Sequence, residues 1–552
     1  MRNHTLALLA LPLLCFGPGS PAGAELNTDP ALEGWWKLAG DARDSSSHGN
    51  HGVAHGVIYD GTFSAEFDGR KSCVEIPDSD SLELATGDFT VSAWIRTDEE
   101  MDDIIGDVLS KYDPETRKGF SLGLLDNAGV AAGQSNRRHL FFGTDWGQDN
   151  LEWIDRGRPG EAVFVMALTV YEGALYAGTY ESGEGKTGRV YRFEGPDRWI
   201  DCGAPDPSNS ISAMAVHKGQ LYAAASHYRA GGSSLDASEN TTPGGRIYRY
   251  LGGKDWELCG ELEGHEAILG LIDFRGNLYA SSLYHPAGLY RYQGGTEWEN
   301  CGNPNSRCVV LGVWNGQLLS GGYDGDKGGV ARYNGGRDWT YLGTPPGVTQ
   351  TYSFASHFGE LFVGTWPEGK VFRYGGPESW VDAGRLGDEK EVMGLMVYNG
   401  KLYGGTLPLA KVFRYEEEGS WTDTGQLDKT PDVKYRRAWT MAIHGGQLFC
   451  GTLPSGHVHS VEVGQCVTYD HALPRGWRHV AAVRNGEKVL LYIDGKPVAE
   501  KRSSVDSPKD LSNDSRLRIG FGPQDFFKGA LRDVRVYSRP LSESEIESLS
   551  SL

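Results

Sequence analysis

Leu271-Ile-Asp-Phe274, Gly276-Asn-Leu-Tyr279-Ala280, Gly288-Leu-Tyr-Arg-Tyr292 and Trp298-Glu-Asn-Cys-Gly302 follow one another in the middle of the chain. Each is a short alternating run bounded by glycine, so the stretch reads as four strands joined by tight turns. The pattern recurs. Gly-x-Leu-(Tyr/Phe/Leu) opens at Gly173, Gly219, Gly276, Gly316, Gly359, Gly400 and Gly446, at spacings of 46, 57, 40, 43, 41 and 46. Trp-x-x-x-Gly opens at Trp153, Trp199, Trp256, Trp298, Trp339, Trp380 and Trp421. Periods of this size with four strands per unit are those of propeller blades. An aromatic residue stands six positions before each Trp from Trp199 onward, from Phe193 to Tyr415, which predicts a hairpin anchored by two rings. The Trp series starts one element early. Its first member therefore predicts closure: the strand around Trp153-Ile-Asp-Arg-Gly157 completes the last unit, whose other strands run from Trp439 to Val463, and hides the end strands' edges.

This blade grammar resembles that of kelch-like propellers, which also carry small-residue doublets after the second strand; here these are Ala177-Gly178, Gly321-Gly322, Gly364-Thr365, Gly404-Gly405 and Gly451-Thr452. Sialidase-type Asp-boxes sit at the same hairpin in other propellers. The hairpins here, Gly252-Gly-Lys-Asp-Trp256 and Gly335-Gly-Arg-Asp-Trp339, lack their Ser and Asp.

The flanks are not repeats. Gly34-Trp-Trp-Lys-Leu38, Phe67-Asp-Gly69, Val74-Glu-Ile-Pro77 and Phe89-Thr-Val-Ser-Ala-Trp94 resemble the front half of laminin G-like, concanavalin A-like jelly rolls. Gly476-Trp-Arg-His-Val-Ala-Ala482, Leu491-Tyr-Ile-Asp-Gly495, Arg518-Ile-Gly520 and the run from Phe527 to Tyr537 resemble the back half, in the family's order. The expectation is an all-β chain in which a seven-bladed β-propeller is inserted into a laminin G-like jelly-roll sandwich. Its parts are a signal peptide at 1–24, the first part of the sandwich at 25–148, the propeller at 149–464 and the second part of the sandwich at 465–552. A ring whose termini meet suits insertion into a host loop, and a two-stranded stalk from one edge of the jelly roll is the expected joint.

Arg2, the apolar run Leu6 to Phe16 and the small residues Ala22-Gly23-Ala24 read as a secretory signal too short to span a bilayer. Leu14 stands where a lipoprotein signal before Cys15 requires a small residue, so a secreted, periplasmic or extracellular location is expected without membrane insertion. Seven cysteines remain after removal. Cys202, Cys259 and Cys301 occupy one repeat position and read as small apolar fillers, while Cys301 with Cys308 and Cys450 with Cys466 are the pairs near enough in sequence for local disulfides. The 73 acidic and 53 basic residues give a net charge of -20, which argues against nucleic acid as partner.

By analogy of fold, ligands lie over a propeller's channel. The turns after the second strands supply Tyr180, His227, Tyr228, Tyr284, His285, Tyr323, Asp324, Trp366 and Glu368; the loops between blades add His265, Glu266, Arg307, Gln350, Glu389, Lys390, Glu391, Arg436, Arg437 and Trp439. Flat rings stack on sugar faces at little entropic cost. The competing reading is that they cap strand ends. Two arginines beside Trp439 offer a clamp for a carboxylate or sulfate, or else form a solvated surface pair. Asp324, Asp326, Glu368, Glu389 and Glu391 are available as a hydrolytic carboxyl pair, but no nucleophile motif is diagnostic. Laminin G-like relatives often bind calcium, and the resemblance offers Asp44, Asn50 and Asp533 as its oxygen ligands; His48, His51 and His55 read as loop histidines rather than a zinc site. Asn240 and Asn513 open N-glycosylation sequons, relevant only in a eukaryotic host. Three functions stay open: an exported recognition protein binding a glycan or another extracellular ligand, a polysaccharide-active hydrolase or lyase, and a protein-interaction scaffold.

Overall fold

The computed structural model describes residues 25–551 apart from 62, 98–99, 101, 150, 325–326 and 503–508; the signal segment and Asp326 lie outside the described residues. Ile268–Phe274, Asn277–Ser282, Leu289–Gly294 and Glu297–Asn300 form one antiparallel four-stranded sheet in chain order, as the opening stretch predicts. Five such four-stranded sheets are present among the described residues, together with an eight-stranded sheet running from Phe164–Tyr171 to Asp255–Glu261. The expectation was seven separate sheets. The eight-stranded sheet arises because the end of strand Ala174–Tyr180 approaches the start of Ser210–His217, where Tyr180 and Ser210 form a single bridging pair.

The two repeat motifs have distinct jobs. Each Trp ring lies against its cross-strand aromatic partner, with centroids 4.8 to 5.2 Å apart from Phe193–Trp199 to Tyr415–Trp421, the pairing expected of facing strands. The indole N–H groups of Trp199, Trp256, Trp298, Trp339 and Trp421 donate to the carbonyls of Arg156, Cys202, Cys259, Cys301 and Ala383, the residues just before the Gly of the preceding motif, at 2.8 to 3.1 Å. Trp380 lies against Gly343, and Trp153 lies against Gly425 and donates to Thr424 at 3.3 Å. The early Trp thus meets the last motif. Next to it, Ile154–Asp155 pairs with Val458–Val461 as the outer strand of a sheet otherwise built from Arg437–His444 and Gln447–Leu453.

The Gly-x-Leu motifs close two-residue hairpins in which both turn residues have positive φ, for example Asn399 (44°) and Gly400 (80°), the geometry that matches strand twist. These turns face the flanking segments. A Cβ on the motif glycine would come within 2.7 Å of His471 at Gly173, 2.6 Å of Phe526 at Gly359, 2.4 Å of Tyr112 at Gly400 and 2.1 Å of the Cys466 carbonyl oxygen at Gly446.

The flanks build two packed sheets, and each mixes strands from before and after the repeats. One runs Ile58–Tyr59, Ala65–Asp68, Lys528–Tyr537, Phe89–Thr97, Gly476–Asn485, Lys488–Ile493, Lys496–Arg502, with Leu32–Trp36 also on Lys528–Tyr537. The other runs Val53–His55, Cys73–Ile76, Leu517–Ile519, Gly106–Asp113, Lys118–Ala128, Gln134–Trp146, Gln465–Tyr469. Phe89, Ile95, Phe120, Phe142, Val480, Leu491 and Leu531 share the apolar layer between them, each contributing about 1.5–3 kcal/mol by burial.

The joint is not a stalk at one edge. The long hairpin Lys118–Ala128 and Gln134–Trp146 leaves its sheet and enters the ring, touching the inner strand of successive repeats. Thr169 donates to the Gln134 carbonyl (3.0 Å), Phe354 N–H to the Gly129 carbonyl (3.0 Å), Ser135 to the Met441 carbonyl (2.6 Å) and Asn136 to the Ile443 carbonyl (2.7 Å). At the tip a Cβ on Gly133 would lie 2.2 Å from the Met214 carbonyl oxygen, so only glycine fits. Arg137 reaches Asp273 at 2.8 Å, and Asp273 also holds His217 at 2.5 Å, an ion-paired group nine-tenths buried. Asp126, close by, is pushed up to about 6 by burial against the pull of Arg137 and Arg138. The hairpin fills the ring's centre from the side of the packed sheets.

All seven described cysteines are buried free thiols, so neither suggested disulfide forms. Cys202, Cys259 and Cys301 fill the same niche in successive repeats, packing with Tyr250, Tyr292 and Tyr333 of the next one.

Candidate functional site

With one end of the ring against the packed sheets, the other end is left to the loops that follow the second strands. There a cavity of about 330 Å³ opens, at the lower end of the size range of small-ligand sites. Its walls are Tyr228, Tyr284, Tyr323, Tyr352 and Trp439, with Arg229, Arg307, Gln350 and Arg437 among them and Met166, Leu269 and Leu283 below. Ala131 and Ala132, at the tip of the inserted hairpin, belong to the same apolar cluster as Met166, Leu269, Tyr228 and Trp439. The cavity is therefore blind, because the hairpin closes the channel beneath it.

Each polar wall is positioned by a definite element. Tyr228, Tyr284 and Tyr323 lie just beyond Gln220–Ser226, Asn277–Ser282 and Gln317–Gly321. Arg437 and Trp439 begin the inner strand Arg437–His444, and Trp439 is fixed by its indole N–H donating to the Met166 carbonyl (2.9 Å). Arg437 is 7% exposed; it donates to Ser233 Oγ (2.7 Å), lies 5.7 Å from the Trp439 ring and faces Glu391 at 3.8 Å. Among the described residues its Nε has no hydrogen-bond partner, nor do Glu391 Oε2 and the Tyr323 hydroxyl, although all three atoms are buried. Tyr352 donates to Glu391 Oε1 at 2.6 Å. Burial raises Glu391, with Arg437 and the Tyr352 hydrogen bond opposing, and burial raises the phenols of Tyr284, Tyr323 and Tyr352. The tyrosines stay protonated donors at neutral pH. On the rim Arg229 stacks on Tyr284 (4.4 Å) and pairs with Glu266, while Arg307 holds Asp324 at 2.9 Å and lies 5.5 Å from the Tyr323 ring.

Of the turn and inter-blade residues offered from sequence, Tyr228, Tyr284, Tyr323, Arg307, Gln350, Arg437 and Trp439 line this cavity. Asp324 and His285 (3.5 Å apart) stand behind Arg307, and His227 pairs with Glu266 at 3.1 Å. Trp366 packs half-buried on the same apolar cluster. Tyr180 is fully buried and borders a neighbouring hollow of about 300 Å³ with Leu235 and Glu239. Arg436 is a correction. Successive side chains in a strand point to opposite faces, so Arg437 shares the cavity side with Trp439, whereas Arg436 turns away and donates to the Thr430 carbonyl at 2.6 Å. Tyr352 and Arg229 were missed; Tyr352 was legible by the same alternation, two positions after Gln350.

The candidate carboxylates are engaged separately. Glu389 accepts from Thr406 (2.8 Å) and Leu409 N–H (3.1 Å), Glu368 pairs with Lys370 (3.3 Å), and Asp324 and Glu391 have the partners given above. Calcium does not fit the three residues the resemblance offered. The Asp44 carboxylate accepts from Trp35 N–H, Ser46 N–H and Oγ, and Asn50 N–H at 2.7 to 2.8 Å. Asn50 Oδ1 accepts from Ser79 (2.8 Å), and Asp533 is held by the Trp35 indole and by Arg535 at 3.0 Å. Their oxygens organise a turn. Among the described residues no group of three or more His, Cys, Asp or Glu side chains is arranged to hold a metal, and no helix is long and apolar enough to cross a membrane.

Residues 445–547 match the family described as the concanavalin A-like lectin/glucanases superfamily. No curated protein matches the chain. Among solved structures, a catalytically inactive virginiamycin B lyase from Staphylococcus aureus with quinupristin is 9% identical over 57% of this chain and 100% of its own, with a TM-score of 0.46. YCF48 bound to D1 peptide is 12% identical over 57% and 98%, with a TM-score of 0.41. The extracellular domain of a hybrid two component system from B. thetaiotaomicron is 13% identical over 64% of this chain and 47% of its own, at 0.43. At these values the likenesses carry no argument about ligands. The chain is an all-β protein with a propeller-like arrangement and a concanavalin A-like domain.

Proposed function

We propose that this chain is an exported binding protein that captures a carbohydrate in the blind aromatic cavity at the free end of its ring. One observation carries the reading: four tyrosines and a tryptophan from separate repeats converge on one hollow that also holds buried polar atoms without partners. Aromatic walls suit the apolar faces of sugar rings, and fixed donors among them suit the hydroxyls. The match of residues 445–547 to a family described by lectins and glucanases is compatible with the same ligand class. The ring is read as seven-bladed, with the eight-stranded sheet counted as two blades bridged at Tyr180 and Ser210; seven contacts of a Trp with the preceding motif, five through its indole N–H to the residue before the Gly and those of Trp380 and Trp153 against Gly343 and Gly425, support that count. It is read as an insertion between the two parts of a jelly-roll sandwich, supported by sheets that mix strands of both flanks.

The test is a glycan array on the mature chain, followed by calorimetry and product analysis on whatever binds. Binding without turnover, reduced at least about tenfold by Tyr284→Ala or Trp439→Ala, is the expected result. Turnover of the bound glycan would replace the reading with the hydrolase or lyase. Absence of any glycan binding would leave the interaction scaffold.

A further inference from the structure

Resting on that carbohydrate reading, we infer that the cavity takes the uncharged terminal sugar of a glycan, and that acidic sugars are excluded. Three features carry this. The first is the charge balance. The charged residues of the lining are Arg229, Arg307 and Arg437, and each already faces a carboxylate: Glu266, Asp324 and Glu391. Three guanidinium groups in an aromatic hollow resemble an anion site when read alone. With their partners they make a neutral one. A ligand carboxylate entering here loses its water and meets no net opposing charge, whereas a hydroxyl loses far less on desolvation.

The second feature is the set of buried atoms that lack partners. Arg437 and Tyr323 line the cavity, where Arg437 Nε can only donate and the Tyr323 hydroxyl can donate or accept; Glu391 Oε2, behind the lining beside Arg437, can only accept while ionised. A sugar hydroxyl both donates and accepts, so it suits this mixture. A carboxylate accepts only. The third feature is the closed floor. The hairpin tip meets the inner strands at Phe354 and Met214 and shares one apolar cluster with Met166 and Leu269, so a polysaccharide does not thread through the ring and a chain end is what the hollow admits.

The discriminating experiment uses matched probes on the full mature chain: trisaccharides ending in glucose or galactose, and the same trisaccharides ending in glucuronic or galacturonic acid, titrated by calorimetry in low and high sodium chloride. The neutral ends are expected to bind at least about tenfold tighter than the acidic ends, with affinity unchanged by salt. Glu391→Gln keeps a partner for Tyr352 but removes one counter-charge, and is expected to shift the neutral-to-acidic ratio about tenfold toward the acid. Asp324→Asn provides the same measurement if the melting curve of the first variant shows a folding defect. Tighter binding of the acidic ends by the unaltered protein, or a ratio that neither variant moves, overturns the inference while leaving carbohydrate binding in place. Failure of every sugar overturns the carbohydrate reading itself, and this inference with it.

Discussion

The two ends of the ring are built from the same repeat yet solve opposite problems. At the end against the packed sheets, two-residue glycine turns keep the surface low, so the flanking segments approach closely: a Cβ on Gly400 would lie 2.4 Å from the Tyr112 ring and one on Gly446 2.1 Å from the Cys466 carbonyl oxygen. A polar hairpin then fills the centre. At the other end the connections vary widely in length, from Trp366 to Lys370 in one repeat to Ser226 to Arg246 in another, and they leave an aromatic hollow of about 330 Å³ with unpartnered buried atoms. Among the described residues buried polar atoms without a hydrogen-bond partner occur at both ends, Asp103 Oδ2, Asp107 Oδ1 and Tyr112 Oη at the seam, but those of Arg437 and Tyr323 belong to side chains that line the open aromatic hollow. That difference marks which face is structural and which can recognise a ligand, and each half of it can be tested.

The largest effect is expected inside the ring. Arg137→Ala strands Asp273 and His217 in the core without the guanidinium and should cost about 3–5 kcal/mol, read as a lowered urea midpoint. A change below 1 kcal/mol would mean the hairpin is a passenger rather than an anchor. Next comes a contrast within one motif. Gly446→Ala combines left-handed strain with a clash and should cost about 2–4 kcal/mol, whereas Gly219→Ala, with the same backbone geometry but nothing within 4 Å, should cost about 1 kcal/mol. Equal costs would remove the docking role assigned to these turns.

A pH dependence follows at the seam between ring and sheets. Asp525 accepts from Ser356 of the ring at 2.5 Å and is raised well above its ordinary range, while burial pushes Asp103 and Asp107 up to about 7. A carboxyl group raised on folding stabilises the fold below the unfolded value of about 4, and that contribution is lost as pH climbs toward about 7. Stability should therefore fall between pH 5 and pH 8, and Asp107→Asn should lessen the fall by an amount on the order of 1 kcal/mol. The check is a pair of urea titrations at the two pH values; an unchanged fall in the variant rejects the assignment. The smallest effect on stability belongs to the free end. Tyr323→Phe removes a hydroxyl without a partner, so folding should change by less than about 0.5 kcal/mol while affinity for the bound glycan drops several-fold.

Much of this was legible because glycine and tryptophan act locally. The turn at Asn399-Gly400 needs positive φ whatever lies beyond it, and the Trp-x-x-x-Gly motif records a contact with its neighbour in every repeat. Closure was legible in the early Trp153. The site was half legible: Tyr228, Tyr284, Tyr323 and Trp439 follow from their place after or at the head of strands, but Arg436 and Arg437 stand as an undivided pair, which strand alternation separates only once the first residue of Arg437–His444 is known. Calcium was carried over from a resemblance in sequence, and hydrogen bonds to Asp44 and Asp533 occupy the oxygens it would need.

By itself, then, the sequence determined the repeat, the number of its motifs and the all-β character of both flanks, since these follow from residue-level rules of turn geometry and alternation. Only the tertiary structure decided that a hairpin of the flanking sheets occupies the ring's centre, that the arginines of the free face each have a carboxylate beside them, and that two neighbouring units share one sheet. Those outcomes depend on distances between residues far apart in the chain, such as Arg137 and Asp273 or Glu391 and Arg437. No local pattern encodes such a distance.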